Sequence, residues 1–348
     1  MTLDLRHEVL HLGLRDPFRI ARSDHDAGHA VTTLVVELRD ERFPGLVGLG
    51  EGYPDRFYGE TSATMSAIFP HLLSAIEGFE PTPDGVQAAS DRLQSAIRWN
   101  GSAKCAIDTA MHDLAGKVSG LPLHRLLGLS ADIPPTDFTL GLDEPAVVAE
   151  RAQRAGGFPA LKIKCGGPAD IATLEAVRAV YDKPLRIDAN TGWTPDIARQ
   201  LLPQLVDLGV ELIEQPFPAT RLDWLRDLQA VSPLPIVADE SCVMIADLDA
   251  LVGVTAGVNV KLAKCGGPGP AALMLARAHE LGFRTFLGCM EETSVAIAAS
   301  AAVASLADWV DLDGSLLLAS EPFTGLALGA DYRWQLTDAP GLGVSRAV

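Results

Sequence analysis

From about Thr136 onward, short apolar segments that end in a charged residue recur at a nearly fixed interval. Leu185-Arg186-Ile187-Asp188, Leu212-Ile213-Glu214 and Ile236-Val237-Ala238-Asp239 end 26 and then 25 residues apart. That is the length of one strand-plus-helix unit. Further candidate strand ends at Thr139, Lys164, Lys261, Leu287 and Asp313 keep the same rhythm. Helical runs over 171–181, 197–208 and 271–281 fall between them,. Eight strand ends at one period predict a (β/α) barrel. A doubly wound open sheet is the structural alternative, but the chain lacks the Gly-rich phosphate loop that should follow its first strand. Lys164-Cys165-Gly166-Gly167 and Lys264-Cys265-Gly266-Gly267 complete neither G-x-G-x-x-G nor a Walker motif,.

Residues 1–128 read differently. The run over 31–38 is β-branched and strand-like, Gly-rich Gly45-Leu46-Val47-Gly48-Leu49-Gly50-Glu51-Gly52 follows it, and helical stretches then cover 62–76 and 103–118,. An antiparallel sheet followed by helices is an α+β layout. The expected organisation is therefore an α+β domain over 1–128, the barrel over 129–320, and a segment, 321–348, that returns to the first domain.

The chain carries a formal net charge of −17 and a pI near 4.8, which argues against nucleic acid and anionic membrane as partners,. Its most apolar charge-free run, 293–307, is 15 residues of mainly small side chains, too short to span a bilayer,. Acids occupy the start where a signal peptide needs apolar residues, and five cysteines without paired spacing suit a reducing cytoplasm,. Cys165, Cys265 and Cys289, near the expected barrel mouth, are read as small apolar filler.

All strands of such a barrel point their C-terminal ends at one mouth, so Asp188, Glu214 and Asp239 should converge there. Three converging carboxylates repel one another unless a hard cation lies between them, and Mg²⁺, one per subunit, is the expected cofactor. Strand alternation puts Lys162 and Lys164 on the interior face, Asp188 with Asn190, and Asn259 with Lys261. A cation bound by the acids would stabilise the charge that develops when a proton leaves carbon beside a carboxylate. Lysine beside lysine, with a metal nearby, lowers the pKa of a lysine base. A second lysine across the ring can return the proton to the opposite face, which is racemisation or epimerisation. Lys264 rivals Lys261 for that role, and parity favours Lys261.

Lys162-Ile163-Lys164, Asp188-Ala189-Asn190, Glu214-Gln215-Pro216, Asp239-Glu240-Ser241 and Val258-Asn259-Val260-Lys261 together resemble the enolase superfamily, muconate-lactonizing branch. Within it the chain most resembles dipeptide epimerases of the L-Ala-D/L-Glu epimerase type. The resemblance covers nearly the whole chain: Pro17-Phe18-Arg19-Ile20-Ala21-Arg22 resembles a first capping loop and Tyr53-Pro54 through Tyr58-Gly59-Glu60 a second. It implies a modified TIM barrel, (β/α)7β, under a capping domain. It also implies Asp188, Glu214 and Asp239 as metal ligands, Lys164 and Lys261 as the acid/base pair, and Lys162 as their electrostatic helper, working through a metal-stabilised enolate. Asn190 and Glu240 would support the site. Asp311-Leu312-Asp313 would hold the α-ammonium group of a dipeptide, a charge-assisted contact. Thr139, Tyr53, Arg22, His25 and Met290 would complete the substrate pocket. Self-association into a homo-oligomer is compatible with the resemblance. N-succinylamino acid racemase, o-succinylbenzoate synthase and cycloisomerase of the same branch are the enzymatic alternatives, and a binding protein on the same fold is the non-enzymatic one.

One departure bears on specificity. The first loop continues Ser23-Asp24-His25-Asp26, placing two acids and a histidine at or near the arginine that would meet a glutamate side chain. A neutral, apolar or cationic second residue is accordingly an alternative to Ala-Glu.

Overall fold

The computed structural model describes residues 3–22, 30–167 and 169–347. An antiparallel sheet opens the chain in the order β1 (Leu3–Gly13), β2 (Ala30–Asp40), β3 (Gly48–Gly52), followed by α1 (Ser62–Ala75), α2 (Pro83–Ala96) and α3 (Gly101–Ser119). The alternate glycines of β3 have a packing cause. A Cβ at Gly48, Gly50 or Gly52 would lie about 2 Å from the carbonyl oxygens of Ala110, Ala106 and Ser102. Only glycine lets α3 lie this close to the sheet. Thr61 and Thr82 cap α1 and α2 by accepting from the Thr64 and Gly85 amides at 3.2 and 3.1 Å,.

Eight parallel strands follow, each hydrogen-bonded to its neighbours in chain order: β4 (Phe138–Leu140), β5 (Leu161–Lys164), β6 (Leu185–Asp188), β7 (Val210–Glu214), β8 (Ile236–Ala238), β9 (Gly257–Lys261), β10 (Arg284–Gly288) and β11 (Trp309–Asp311). A parallel bridge between Thr136 and Val310, with the Asp137 amide donating to the Val310 carbonyl at 3.0 Å, closes the ring. Alternation sorts the side chains as the sequence predicts. Ile163, Ile187, Ile213, Val258 and Val260 are buried within the main core. Leu212, Val237, Phe286 and Trp309 form a separate apolar cluster; each lies two residues before Glu214, Asp239, Gly288 and Asp311, and so shares the interior face one layer below the mouth,. The last strand ends at Asp311, two residues before the expected Asp313, and β8 ends at Ala238, one before Asp239.

The C-terminal segment runs back to the first domain. Leu342 donates its amide to buried Asp113 at 2.8 Å, and Gly341 exchanges backbone hydrogen bonds with Leu121 and Leu123. No helix among the described residues is long and apolar enough to cross a membrane.

Candidate active site

A cavity of about 830 Å³ opens at the C-terminal mouth of the barrel, lined by Lys162, Lys164, Lys261, Asp311 and Asp313 below and by both capping loops above. Asp188, Glu214 and Asp239 come together beside it, buried, with one carboxylate oxygen from each lying within 4.8 Å of the others. A larger cleft of about 880 Å³ on the flank of α2 and α3 contains none of these acids. Residues just past the strand ends carry left-handed backbone at Asn190 (φ 42°), Thr191 (φ 69°) and Gln215 (φ 33°), the local strain that gathers at functional sites,. Gln215 justifies its conformation by accepting from the amides of Asp239 and Ser241 at 2.9 and 3.1 Å, which fixes the loop that carries the third acid.

The lysines stand where parity puts them. Lys164 Nζ lies 2.7 Å from Asp188 Oδ2, and Lys261 Nζ lies 3.0 Å from Asp239 Oδ2. The strands β5 and β9 are four apart in a ring of eight, so these two ammonium groups face each other across the barrel. Lys162 is 1% exposed and bridges the floor, 2.7 Å from Glu214, 2.8 Å from Asp311 and 3.5 Å from Asp188. Burial alone would lower Lys162 and Lys261, but the surrounding carboxylates more than offset it and hold both above the ordinary lysine value. Lys264 points away from the cavity mouth, donating to Asp239 Oδ1 and to the carbonyls of Asp239, Cys242 and Asn259 at 2.8, 2.9 and 2.9 Å.

The acids titrate apart. Burial pushes Asp188 up, but Lys164 and Lys162 outweigh it and leave the carboxyl below its usual range. Glu214, buried and facing Asp188, is pushed up to about 7. Its Oε1 accepts from Asn259 Nδ2 at 2.7 Å, while Oε2 lies 2.7 Å from the Lys162 ammonium. Three buried carboxylates with one oxygen each within 4.8 Å of the others are a suitable ligand set for a hard divalent cation,.

Across the ring, Asp311 accepts from Thr139 Oγ1 at 3.0 Å and from Lys162; burial pushes it up, but the Lys162 charge and a hydrogen bond with Asp137 outweigh burial and hold it below its usual range. Asp313 accepts the Thr139 amide at 2.6 Å; burial and then the Asp311 charge push it up to about 8.

Residues 18–22 of the first capping loop lie over the mouth. Phe18 stacks 5.9 Å above Lys164 Nζ, and the Leu142 amide donates to the Arg19 carbonyl at 2.9 Å. Arg22 turns inward to pair with buried Glu240, its guanidinium 4.4 Å over the Phe57 ring of the second loop. Asn190 donates to the same Glu240 oxygen at 3.3 Å. Arg19 lies 3.9 Å from Asp143. Tyr53 and Met290 line the cavity with Cys289, whereas Cys265 lies at the flanking cleft. His25, Asp24 and Asp26 fall outside the described residues. Sequence reading did not single out Asn259 as the partner of Glu214, or Phe18 and Phe57 as lid aromatics. The inward parity of Asn259 was a usable signal for the first; no periodicity marks the loop aromatics.

Comparison with known proteins agrees with this geometry. The mandelate racemase / muconate lactonizing enzyme N-terminal domain pattern matches residues 7–128, and the enolase C-terminal domain-like pattern matches 146–346. The L-Ala-D/L-Glu epimerase of Bacteroides thetaiotaomicron is 36% identical over 338 residues, covering 96% of this chain and 86% of that protein. A dipeptide epimerase of Enterococcus faecalis solved with Mg and L-Leu-L-Tyr superposes with a TM-score of 0.86 at 34% identity, over 99% of this chain and 100% of that one. A dipeptide epimerase of Methylococcus capsulatus solved with Mg and L-Arg-D-Lys gives a TM-score of 0.88 at 33% identity, over 99% of each chain. Three different dipeptide types thus occur among relatives at nearly equal identity.

Proposed function

Because the chain belongs to the mandelate racemase / muconate lactonizing enzyme family, with an enolase-like C-terminal domain, we propose that it is a magnesium-dependent dipeptide epimerase that inverts the α-carbon of the C-terminal residue. One observation carries the reading: two axes cross at the mouth. Lys164 and Lys261 face each other from β5 and β9, while Glu214 on β7 and Asp311 beyond it on β11 are also four strands apart. A dipeptide laid along the second axis presents its α-ammonium to Asp311 and Asp313 and its carboxylate to the acid triad. Its second α-carbon then lies between the two lysines.

Asp188, Glu214 and Asp239 would hold the Mg²⁺, which supplies stabilisation for negative charge gathering on the substrate carboxylate. Lys164 takes the α-proton from one face and Lys261 delivers one to the other, with the roles exchanged in reverse. Lys162, fixed among Glu214, Asp311 and Asp188, adds positive charge beneath the reacting carboxylate. Phe18 and the Arg22–Glu240 contact keep water from the carbanion face. We assign the capping function to residues 1–128 with the returning segment 321–348, and place the protein in the cytoplasm on its five unpaired cysteines,.

For the second side chain, the reading favours an apolar or cationic residue over glutamate. Arg22 is neutralised by Glu240 and Arg19 faces Asp143, while Asp55 and Glu291 add negative charge to a cavity wall that also carries Arg56. Incubating a dipeptide library with the protein and Mg²⁺ in D₂O, and reading mass by residue, tests the function. Deuterium at the α-carbon of the second residue is expected; exchange confined to N-succinyl amino acids would overturn it.

A further inference from the structure

Each of the three carboxylates is held at one oxygen by an amide or the Lys264 ammonium and turns the other toward a cavity lysine. Asp188 Oδ1 accepts the Asn190 amide at 2.9 Å, and its Oδ2 faces Lys164. Glu214 Oε1 accepts Asn259 Nδ2 at 2.7 Å, and its Oε2 faces Lys162. Asp239 Oδ1 is held by Lys264, and its Oδ2 faces Lys261. The ties come from three kinds of donor: a strained backbone amide, a side-chain amide on the next strand but one, and an ammonium from a short helix.

We infer that Asn259 and Lys264 are positioning residues that restrict the triad to one oxygen per carboxylate and thereby select Mg²⁺ over Ca²⁺. The inference rests on the metal site proposed above. Mg²⁺ is small and takes single oxygens, whereas Ca²⁺ is larger and gains affinity by drawing both oxygens of a carboxylate into a shell of six to eight. A carboxylate that must break a buried hydrogen bond to offer its second oxygen cannot follow that expansion.

The geometry around both residues fits a positioning role. Lys264 has no exposed side-chain surface, and its three carbonyl acceptors come from the β8 end, the following loop and β9, so its ammonium cannot swing into the cavity. Asn259 is fully buried, and its neighbour Gly288 has no room for a Cβ, which would lie 2.8 Å from Asn259 Oδ1 and 2.9 Å from Nδ2. A bare glycine on the adjacent strand is what permits the amide to reach Glu214. Both side chains are spent on holding acids of the triad, and orienting metal ligands is a role that outer-shell donors commonly serve,.

The test uses chelator-stripped full-length protein, with Mn²⁺ titrated by electron paramagnetic resonance and displaced in turn by Mg²⁺ and Ca²⁺. Wild type is expected to be emptied of Mn²⁺ by Mg²⁺ at lower concentration than by Ca²⁺. Asn259→Leu and Lys264→Met should each shift that preference toward Ca²⁺ by about 10-fold or more, the usual scale of an outer-shell loss. A merely structural role would weaken both ions alike and leave the ratio unmoved. If Lys264→Met does not fold, Asn259→Leu alone decides. An unchanged ratio in the folded variants, or a wild type that prefers Ca²⁺, overturns the inference while leaving the metal site standing. Failure of wild type to bind Mn²⁺ at all would remove the metal site and this inference together.

Discussion

Replacing Arg22 with Met removes a side chain that joins both capping loops to the barrel. Its guanidinium pairs with Glu240, whose carboxylate is fully buried, and the arginine itself is 25% exposed. After the substitution Glu240 keeps only the Asn190 amide at 3.3 Å on one oxygen, and its other oxygen has no partner among the described residues. Breaking a buried pair in this way costs about 3–5 kcal/mol, and the quarter exposure of Arg22 brings it toward about 2–3 kcal/mol. Loss of the Phe57 stack adds about 0.5–1 kcal/mol. Arg22→Met should therefore lose about 3 kcal/mol, and the double variant with Glu240→Gln should recover at least about 1 kcal/mol, since no buried charge is then left alone. Urea unfolding of wild type, both single variants and the double variant measures the coupling. Polarimetric epimerisation should show KM raised more than kcat is lowered, because Arg22 holds the capping loops against the substrate cavity,. An Arg22→Met protein within about 0.5 kcal/mol of wild type, the usual scatter of surface substitutions, with unchanged KM would refute the reasoning.

N-acetylated dipeptides should lose about 2–5 kcal/mol in kcat/KM, because Asp311 and Asp313 then face a neutral amide; equal turnover of free and acetylated substrates would contradict it. In a panel of Ala-Xaa dipeptides, Ala-Glu should trail Ala-Leu and Ala-Lys, and a clear Ala-Glu preference would show that an arginine is available to it. Glu292 is buried beside Glu51, and burial first, then that charge, push its carboxyl up to about 8. The folded protein keeps a proton that the unfolded chain releases above the ordinary value of 4.5, so this stabilisation is complete below that value and is lost as pH rises toward 8,. Glu292→Gln should gain on wild type across that window by at most about 1.4 kcal/mol per pH unit; a pH-independent difference between the two in thermal or urea unfolding would count against it.

The barrel was legible because its signal is periodic. Strand ends recur at one spacing, and alternation then assigns Lys162, Lys164 and Asn259 to the interior whatever the helices do. The metal triad followed, since acids at consecutive strand ends can converge at one place only. Less could be read where side-chain direction depends on a tertiary partner. Arg22 sits in a loop without periodicity, and Glu240, which turns it inward, is 218 residues away. Lys264 and Lys261 are three apart and chemically identical; a change from strand to a short helix at Leu262 sends one to the cavity and the other into a nest of carbonyls. Strand β1 was hidden because only one of its eleven residues, Leu12, is buried, so polar and charged side chains blur the alternation.

Proton exchange by single-lysine variants tests the two-lysine account most directly. Lys164→Ala and Lys261→Ala, each folded and loaded with Mg²⁺, would be incubated in D₂O with the L,L and L,D forms of a dipeptide substrate. Neither variant should epimerise. Each should exchange the α-proton of only one diastereomer, and the two variants should retain opposite ones. Exchange of both diastereomers by either variant, or full epimerisation by Lys261→Ala, would contradict the assignment of one lysine to each face.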